Sequence, residues 1–487
     1  MNTRENSVDQ SDRLREKCAV FGIYGAKNAA KLTYYGLWAL QHRGQESSGI
    51  ASSDGKALYR HSAFGLVANV YTDEDLATLK GTTAIGHNRY STNGGADPQF
   101  NQPYVSNNRV FTLAHNGNLP LVDKLSEFLS SVNIDHAEMN DSGMMTAAID
   151  HELGNGATID QAVTTVFPLL EGAFSVTAVY NEKLIAFRDQ YGIRPLSLAK
   201  LDGGYVVASE TCAFDTIGAE FIRDIEPGEL VVIDESGVTS HQIVKPDLKF
   251  DIFELVYFAR PDSVLMGKTV SSVREKYGIQ LAKEYQFDAD IVVPVPDSSI
   301  PAALGYAKAS GIPFEMALIK NRYINRTFIS PTQELRERDV MLKLNPIIDL
   351  LKDKKIVLID DSIVRGTTMK KVVKMLRGVG VKEINLLISS PPVKYPDFYG
   401  IDTPSQDDLI ASRMSTKEIR QWLGVDWLGY LSYDGMIEAT GVSRDQLCTS
   451  CFDGNYPSPI GRRADEIRFV EEKIATGAYS HSAEDDE

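Results

Sequence analysis

Hydrophobic and polar positions change rhythm partway along this 487-residue chain. In the first half, residues 18–24 form an apolar run that predicts a buried strand. Leu32, Tyr35 and Ala39 then recur at helical spacing, predicting a helix over 29–41. Leu121, Leu125, Phe128, Leu129 and Val132 mark one face of a second helix with Pro120 at its start, and a third begins near Asp141. Strand-like runs then crowd together at 173–180, 183–187, 196–200, 205–208 and 230–233. Strands in runs beside helices in runs predict sheets stacked between helical layers, an α+β architecture. From about residue 250 the rhythm alternates: helix 271–285, strand 290–295, helix 301–309, strand 314–319, strand 356–359, helix 369–377 and strand 384–388. That alternation predicts an α/β, doubly wound, mostly parallel sheet. The polar stretch 234–249, with Pro246, marks the boundary, giving units 18–245 and 246–470, a polar leader 1–17 and an acidic, disordered tail 471–487.

Composition narrows the class. The residues are 43% hydrophobic and 24% charged, as in a water-soluble globular protein. A net charge of −16 argues against nucleic acid as a partner, because phosphate backbones need clustered Lys and Arg. No run of 18 apolar residues suggests a membrane span, and the leader is too polar for a secretory signal. Four cysteines, Cys18, Cys212, Cys448 and Cys451, are too few for a disulfide framework and suit a reducing cytoplasmic location.

The most specific chemistry lies at residues 355–368. Ile356 to Ile359 form a buried strand with Asp360 and Asp361 at its carboxyl end, followed by Ser362, Arg365, Gly366, Thr367 and Thr368 and then a helix. Ligands of open α/β sheets bind beyond the carboxyl ends of strands, and a helix N-terminus there receives phosphate. The adjacent acids suit ribose hydroxyls or a hard Mg²⁺. No Walker lysine is present, so a sugar phosphate is expected ahead of a nucleoside triphosphate. The segment resembles the phosphoribosyl diphosphate (PRPP) motif of type I phosphoribosyltransferases.

In the first half, four pieces are individually unremarkable: a cysteine opening a strand, Arg89 at the end of another, an Asn116-Gly117 pair expected as a tight turn over 114–118, and Asp141 at a helix mouth. Together with Cys18-Ala-Val-Phe-Gly-Ile-Tyr-Gly25 and Gln41-His-Arg-Gly-Gln-Glu-Ser47 they resemble the glutaminase domain of the N-terminal-nucleophile amidotransferases, with its four-layer αββα sandwich. The resemblance implies that residues 1–17 are a propeptide whose removal frees the Cys18 amine. A terminal amine, with a reference pKa near ~8, can act as the general base for the thiol. It further implies that Cys18 attacks glutamine, that Asn116 and Gly117 form the oxyanion hole, that Arg89 and Asp141 hold the α-carboxylate and α-ammonium, and that Arg43 and Gly44 shape the pocket.

Tyr257-Phe-Ala-Arg-Pro-Asp-Ser263 and the 320–329 segment extend the likeness, so that residues 18 to about 456 resemble the glutamine PRPP amidotransferases. That implies transfer of glutamine-derived ammonia to C1 of PRPP, giving 5-phosphoribosylamine, glutamate and pyrophosphate at the start of purine synthesis. Arg365 to Thr368 would hold the 5-phosphate. Asp360 and Asp361 would bind the ribose and one Mg²⁺ per subunit, with Ser298 a further metal contact. Lys320 and Arg322 would face the pyrophosphate, under a lid formed by 321–338. Homotetramers and purine nucleotide feedback inhibitors are implied as well.

One departure stands out. Many relatives hold a [4Fe–4S] cluster on four cysteines; here Cys448 and Cys451 match two positions, and Asp251 and Asp397 occupy the others. Carboxylate is a poor replacement for thiolate on iron, so no cluster is expected. Against a different acceptor stands the PRPP loop. Against a DNA-binding PRPP sensor stands the acidic chain. Against a decayed paralogue stands the complete set of catalytic positions.

Overall fold

The computed structural model describes residues 18–89, 98–106, 108, 110–321, 344–401 and 405–468. The expected propeptide, acidic tail, lid and Arg322 lie outside them.

The first half is two antiparallel sheets face to face. The first runs in the order Glu220–Asp224, Ser197–Leu201, Gly204–Ala208, Ala19–Tyr24, Thr83–Arg89, Ser47–Ser53, Leu58–Phe64. The second runs Gly237–Gln242, Glu229–Asp234, Lys183–Arg188, Glu171–Tyr180, Phe111–Leu121, Tyr104–Val105. Period-two alternation explains the stacking. In Ala19–Tyr24, Val20 joins Ile85, Val179, Leu184 and Val207 between the sheets, while Phe21 and Ile23 face outward to Leu37 and Phe214 on helices Ala29–Ala39 and Cys212–Ile217. On the far side, Leu113, Val176 and Phe187 pack on Leu125, Met145, Ile149 and Val163 of helices Asp123–Ser131, Asp141–Gly154 and Ile159–Val166. The result is the four-layer αββα sandwich.

The second half contains a wholly parallel sheet ordered Ile291–Pro294, Lys355–Asp360, Glu383–Ile388, Trp427–Tyr430. Its alternate residues divide between two cores. Val292, Val357, Ile359 and Leu387 face helices Val270–Glu284 and Ile300–Ser310; Val293, Ile356, Leu358 and Leu386 face Thr367–Gly378 and Thr416–Leu423. Helices on both faces make it doubly wound. The first helix pair meets backbone to backbone, because a Cβ at Gly278 would sit 1.7 Å from the Ala302 carbonyl oxygen. Gly278→Ala is expected to destabilise the protein by about 2–3 kcal/mol, visible as a lowered thermal midpoint.

Several expectations are corrected. Residues 114–118 are not a turn: they lie inside the eleven-residue strand Phe111–Leu121, with Asn116 opposite Ser175 and Gly117 opposite Phe174. Pairing along a full neighbouring strand overrides the local turn preference of Asn-Gly. Pro120 belongs to that strand, and the helix begins only at Asp123. The strand expected at 314–319 is three residues, Leu318–Lys320, paired outside the main sheet; Phe314 makes one bridge to Val292. The polar stretch 234–249 contains strand Gly237–Gln242, an edge of the second sheet.

Candidate active site

Cys18 precedes the central strand of the seven-stranded sheet and is half-buried. The register Ala19–Asn88 brings it to the Arg89 end of Thr83–Arg89. Gly44 closes over the same end, where a Cβ would lie 2.7 Å from the Asn88 carbonyl carbon. Across the sandwich, His87 Nε2 lies 3.1 Å from the His115 carbonyl oxygen, tying this strand to Phe111–Leu121 one residue before Asn116. Burial, reinforced by Arg89, pushes the His87 pKa down to about 3, so it is neutral there.

Asn116 is fully buried, and neither its amide nitrogen nor its oxygen has a hydrogen-bond partner. Gly117 beside it has φ +148, with no room for a Cβ, which would fall 2.0 Å from the Ala173 carbonyl oxygen. Arg89, 8% exposed, also leaves Nη1 buried and unpartnered, its guanidinium 5.8 Å from the centre of the Phe100 ring. Asp141 opens its helix behind the Asn140 cap and accepts from Ser142 N at 2.7 Å and Leu119 N at 3.2 Å. The Tyr104 hydroxyl, likewise buried without a partner, has its pKa raised by burial and then by Asp141, against the pull of Arg89, so all three share one neighbourhood. Each unsatisfied group costs roughly 1–3 kcal/mol, a cost that a polar ligand recovers. Sequence reading missed Tyr104; nothing in its local pattern separates it from a packing tyrosine.

Arg43 is placed differently from Arg89. Its fully buried guanidinium is engaged by Glu210 and Glu254, and its Nε donates to the Cys18 carbonyl at 3.4 Å. Burial alone would lower its pKa; Glu254 and Glu210 instead hold it above the ordinary value.

In the second half, Asp360 and Asp361 stand at the carboxyl end of Lys355–Asp360, both nearly buried. Asp360 accepts from the Asp361 amide at 3.0 Å; Asp361 accepts from Ser362 Oγ at 2.6 Å and from Ser298 Oγ. Ser298 lies in the turn that follows the neighbouring parallel strand Ile291–Pro294, so the segments beyond both strand ends contribute to one corner. Helix Thr367–Gly378 begins there behind Gly366, whose φ of +84 and closeness to Trp422, 2.8 Å from a would-be Cβ, exclude a side chain. Arg365 lies 3.3 Å from Asp408, and Lys320 2.8 Å from Asp297 on the same rim. Two carboxylates and a hydroxyl suit a Mg²⁺ completed by water and phosphate oxygens. Among the described residues no group of three or more His, Cys, Asp or Glu could hold a metal by itself.

Three of the four positions of the cluster pattern, Asp251, Asp397 and Cys448, lie near one another. Strand Phe250–Asp251 pairs with Leu447–Cys448, setting Asp251 beside Cys448. Asp251 forms an ion pair with Arg194 at 2.7 Å; burial, with Asp397 adding, pushes its pKa up to about 7 against that cation. Asp397 accepts the Tyr399 and Ile401 amides at 2.9 and 2.7 Å.

The two halves touch at the glutaminase-like strand. Asn118 Nδ2 donates to the Phe398 carbonyl at 2.7 Å, and a Cβ at Gly400 would lie 3.0 Å from Gly117.

Comparison with known proteins agrees with this division. Residues 87–216 match the glutamine amidotransferase domain family and 272–391 the phosphoribosyl transferase domain family. The chain is 48% identical over 462 residues to an amidophosphoribosyltransferase of Synechocystis, covering 93% of each. It is 43% identical to that of Bacillus subtilis, covering 92% of this chain and 95% of the relative. A solved structure of the glutamine PRPP amidotransferase from B. subtilis, complexed with ADP and GMP, superposes with a TM-score of 0.85 at 42% identity, covering 91% of this chain and 98% of that one. With identity this high over nearly the whole length of both chains, the protein belongs to the amidophosphoribosyltransferase family.

Proposed function

We propose that this chain is a two-site enzyme that transfers the amide nitrogen of glutamine to C1 of PRPP, the amidophosphoribosyltransferase step of purine nucleotide biosynthesis. In the first site the Cys18 thiolate adds to the glutamine amide carbon. The oxyanion so formed is held by the Asn116 amide and Gly117 N–H, donors worth ~3–4 kcal/mol each in such sites. Collapse of the adduct expels ammonia and leaves a thioester, which water cleaves to glutamate. Arg89 receives the α-carboxylate and Asp141 the α-ammonium. Gly44 leaves room at the pocket wall, and Arg43 acts from behind on the Cys18 backbone. The observation that carries the reading is the Asn116 amide, fully buried with both polar atoms unpartnered on a strand tied across to Arg89's.

In the second site Asp360 and Asp361 bind the ribose, the Arg365–Thr368 loop the 5-phosphate, and Lys320 and Arg322 the pyrophosphate. Ammonia forms the new C1–N bond as the C1–O bond to pyrophosphate breaks, inverting C1. Mg²⁺, held by Asp360, Asp361 and Ser298, would neutralise charge on the leaving pyrophosphate. Asp251 and Asp397 already engage Arg194 and backbone amides, which supports an enzyme with no [4Fe–4S] cluster on Cys448 and Cys451. A propeptide ending before Cys18, a cytoplasmic homotetramer and purine nucleotide feedback complete the proposal; the relative complexed with ADP and GMP supports the last. No helix among the described residues is long and apolar enough to cross a membrane.

The test is a glutamine-plus-PRPP assay with N-terminal sequencing of the purified protein. Matched release of glutamate and pyrophosphate, with Cys18 as first residue, is expected; glutamate without PRPP-dependent pyrophosphate would overturn the transfer. Arg89→Leu is expected to raise the glutamine KM by roughly 100-fold while ammonia-dependent synthesis stays within about twofold, as steady-state kinetics with each donor will read.

A further inference from the structure

A group of buried charges, Arg43, Arg194, Glu210 and Glu254, lies where the halves meet, next to the Cys18 backbone. Glu254 is fully buried and opens a single π-helical turn, Glu254–Phe258, in the second half. Such turns are rare and concentrate at functional sites. Its carboxylate takes the Arg43 guanidinium as a two-point fork, Oε1 to Nη2 at 2.6 Å and Oε2 to Nη1 at 2.9 Å. Arg194 Nη2 lies 2.6 Å from the same Oε1. With both terminal nitrogens engaged, the remaining edge of Arg43 is Nε, which donates to the Cys18 carbonyl.

The turn is held at its other side as well. Arg274, a buried residue of helix Val270–Glu284, spans it with Nε to the Leu255 carbonyl and Nη2 to the Ala259 carbonyl, both at 2.9 Å. The charge that most favours the Arg274 cation against its burial is Asp361. A second carboxylate, Glu210, steadies Arg43 at 2.5 Å while accepting from Arg260 N and Ser263 Oγ of the second half, at 2.9 and 2.6 Å. Buried ion pairs of this kind are seldom needed for stability, since apolar side chains of equal volume serve as well. What a bidentate fork adds is direction. Here the direction points at the backbone of the residue whose thiol reacts.

We propose that Glu254 is a positioning residue for glutamine hydrolysis: from the second half it fixes the Arg43 fork against the Cys18 carbonyl and so aims the thiol at the Asn116–Gly117 hole. This rests on the reading of Cys18 as nucleophile. It assigns the turn a task in the first reaction, although it belongs to the domain that performs the second.

The full-length Glu254→Gln variant, nearly isosteric but uncharged, tests it with Mg²⁺ and PRPP present and either glutamine or ammonium chloride as nitrogen donor. Glutamine-dependent kcat is expected to fall by roughly 10- to 100-fold, the scale of a misaimed nucleophile, with glutamine KM changed less than about threefold and the ammonia-dependent rate within about twofold. Glu254→Asp, which restores the charge, should recover part of the loss. Should Glu254→Gln not fold, Glu254→Asp carries the same split. Equal loss with both donors, unchanged glutamine turnover, or failure of both variants to fold overturns the proposal. Cys18→Ser run alongside separates the readings. Continued glutamine use by that variant sinks the nucleophile assignment, whereas its loss with Glu254→Gln unaffected sinks only the role of Glu254.

Discussion

Cys18→Ser is expected to abolish glutamine-dependent synthesis, a fall of at least ~10³-fold, while phosphoribosylamine formation from ammonia persists. The reason is the base. A terminal amine with a reference pKa near ~8 is closely matched to a thiol of ordinary pKa ~8.5, whereas a serine hydroxyl is far less acidic and, in a pocket shaped for sulfur, a much poorer nucleophile. Removing the sulfur leaves the Asn116–Gly117 donors and the Arg89 and Asp141 contacts in place, so glutamine should still bind and remain intact. Glutamate release with glutamine alone, and pyrophosphate release with ammonia, are the two measurements. Retained glutamine hydrolysis would refute the assignment.

The second large effect is expected at the acid pair. Asp361→Asn should lower pyrophosphate release by roughly 10²- to 10³-fold with either nitrogen donor, because one of the two charges proposed to bind ribose and Mg²⁺ is lost. Asp361 is the better test of the two acids, since its oxygens accept from Ser298 and Ser362, joining two strand ends. Asparagine keeps the shape and one acceptor, so the parallel sheet beneath should fold as before. A PRPP titration at several Mg²⁺ concentrations should show weaker binding of both. Normal kinetics in this variant would remove the acid pair from the PRPP site.

Where one rhythm dominated, residues announced their structure. Ile356 to Ile359, bounded by Lys355 and the acids, could be read as a central strand, and the structure buries all four. Helix 271–285 was equally visible, and differs by one residue at each end. The Asn116-Gly117 pair misled because its local preference and its tertiary pairing disagree, and the ten-residue neighbouring strand Glu171–Tyr180 decides such a contest. Strand Trp427–Tyr430 escaped notice because it is four residues long and contains Gly429, which is there to admit the Tyr285 ring, 2.8 Å from a would-be Cβ. Tyr104 and Glu254 were illegible for a different reason. Their distinctive property is an absent partner in one case and two distant arginines in the other, neither of which is written in adjacent residues.

The close approach of Gly400 to Gly117, with Asn118 bonded to the Phe398 carbonyl, bears on how such enzymes can be recombined. A chimera taking its first 245 residues from one relative and the rest from another inherits two surfaces that must still mesh at a glycine-on-glycine seam. Any donor carrying a side chain at position 400 would push against the strand that carries Asn116 and Gly117, and the first half would suffer although every residue in that half is native. Modular swapping is therefore constrained at the seam before it is constrained in either pocket.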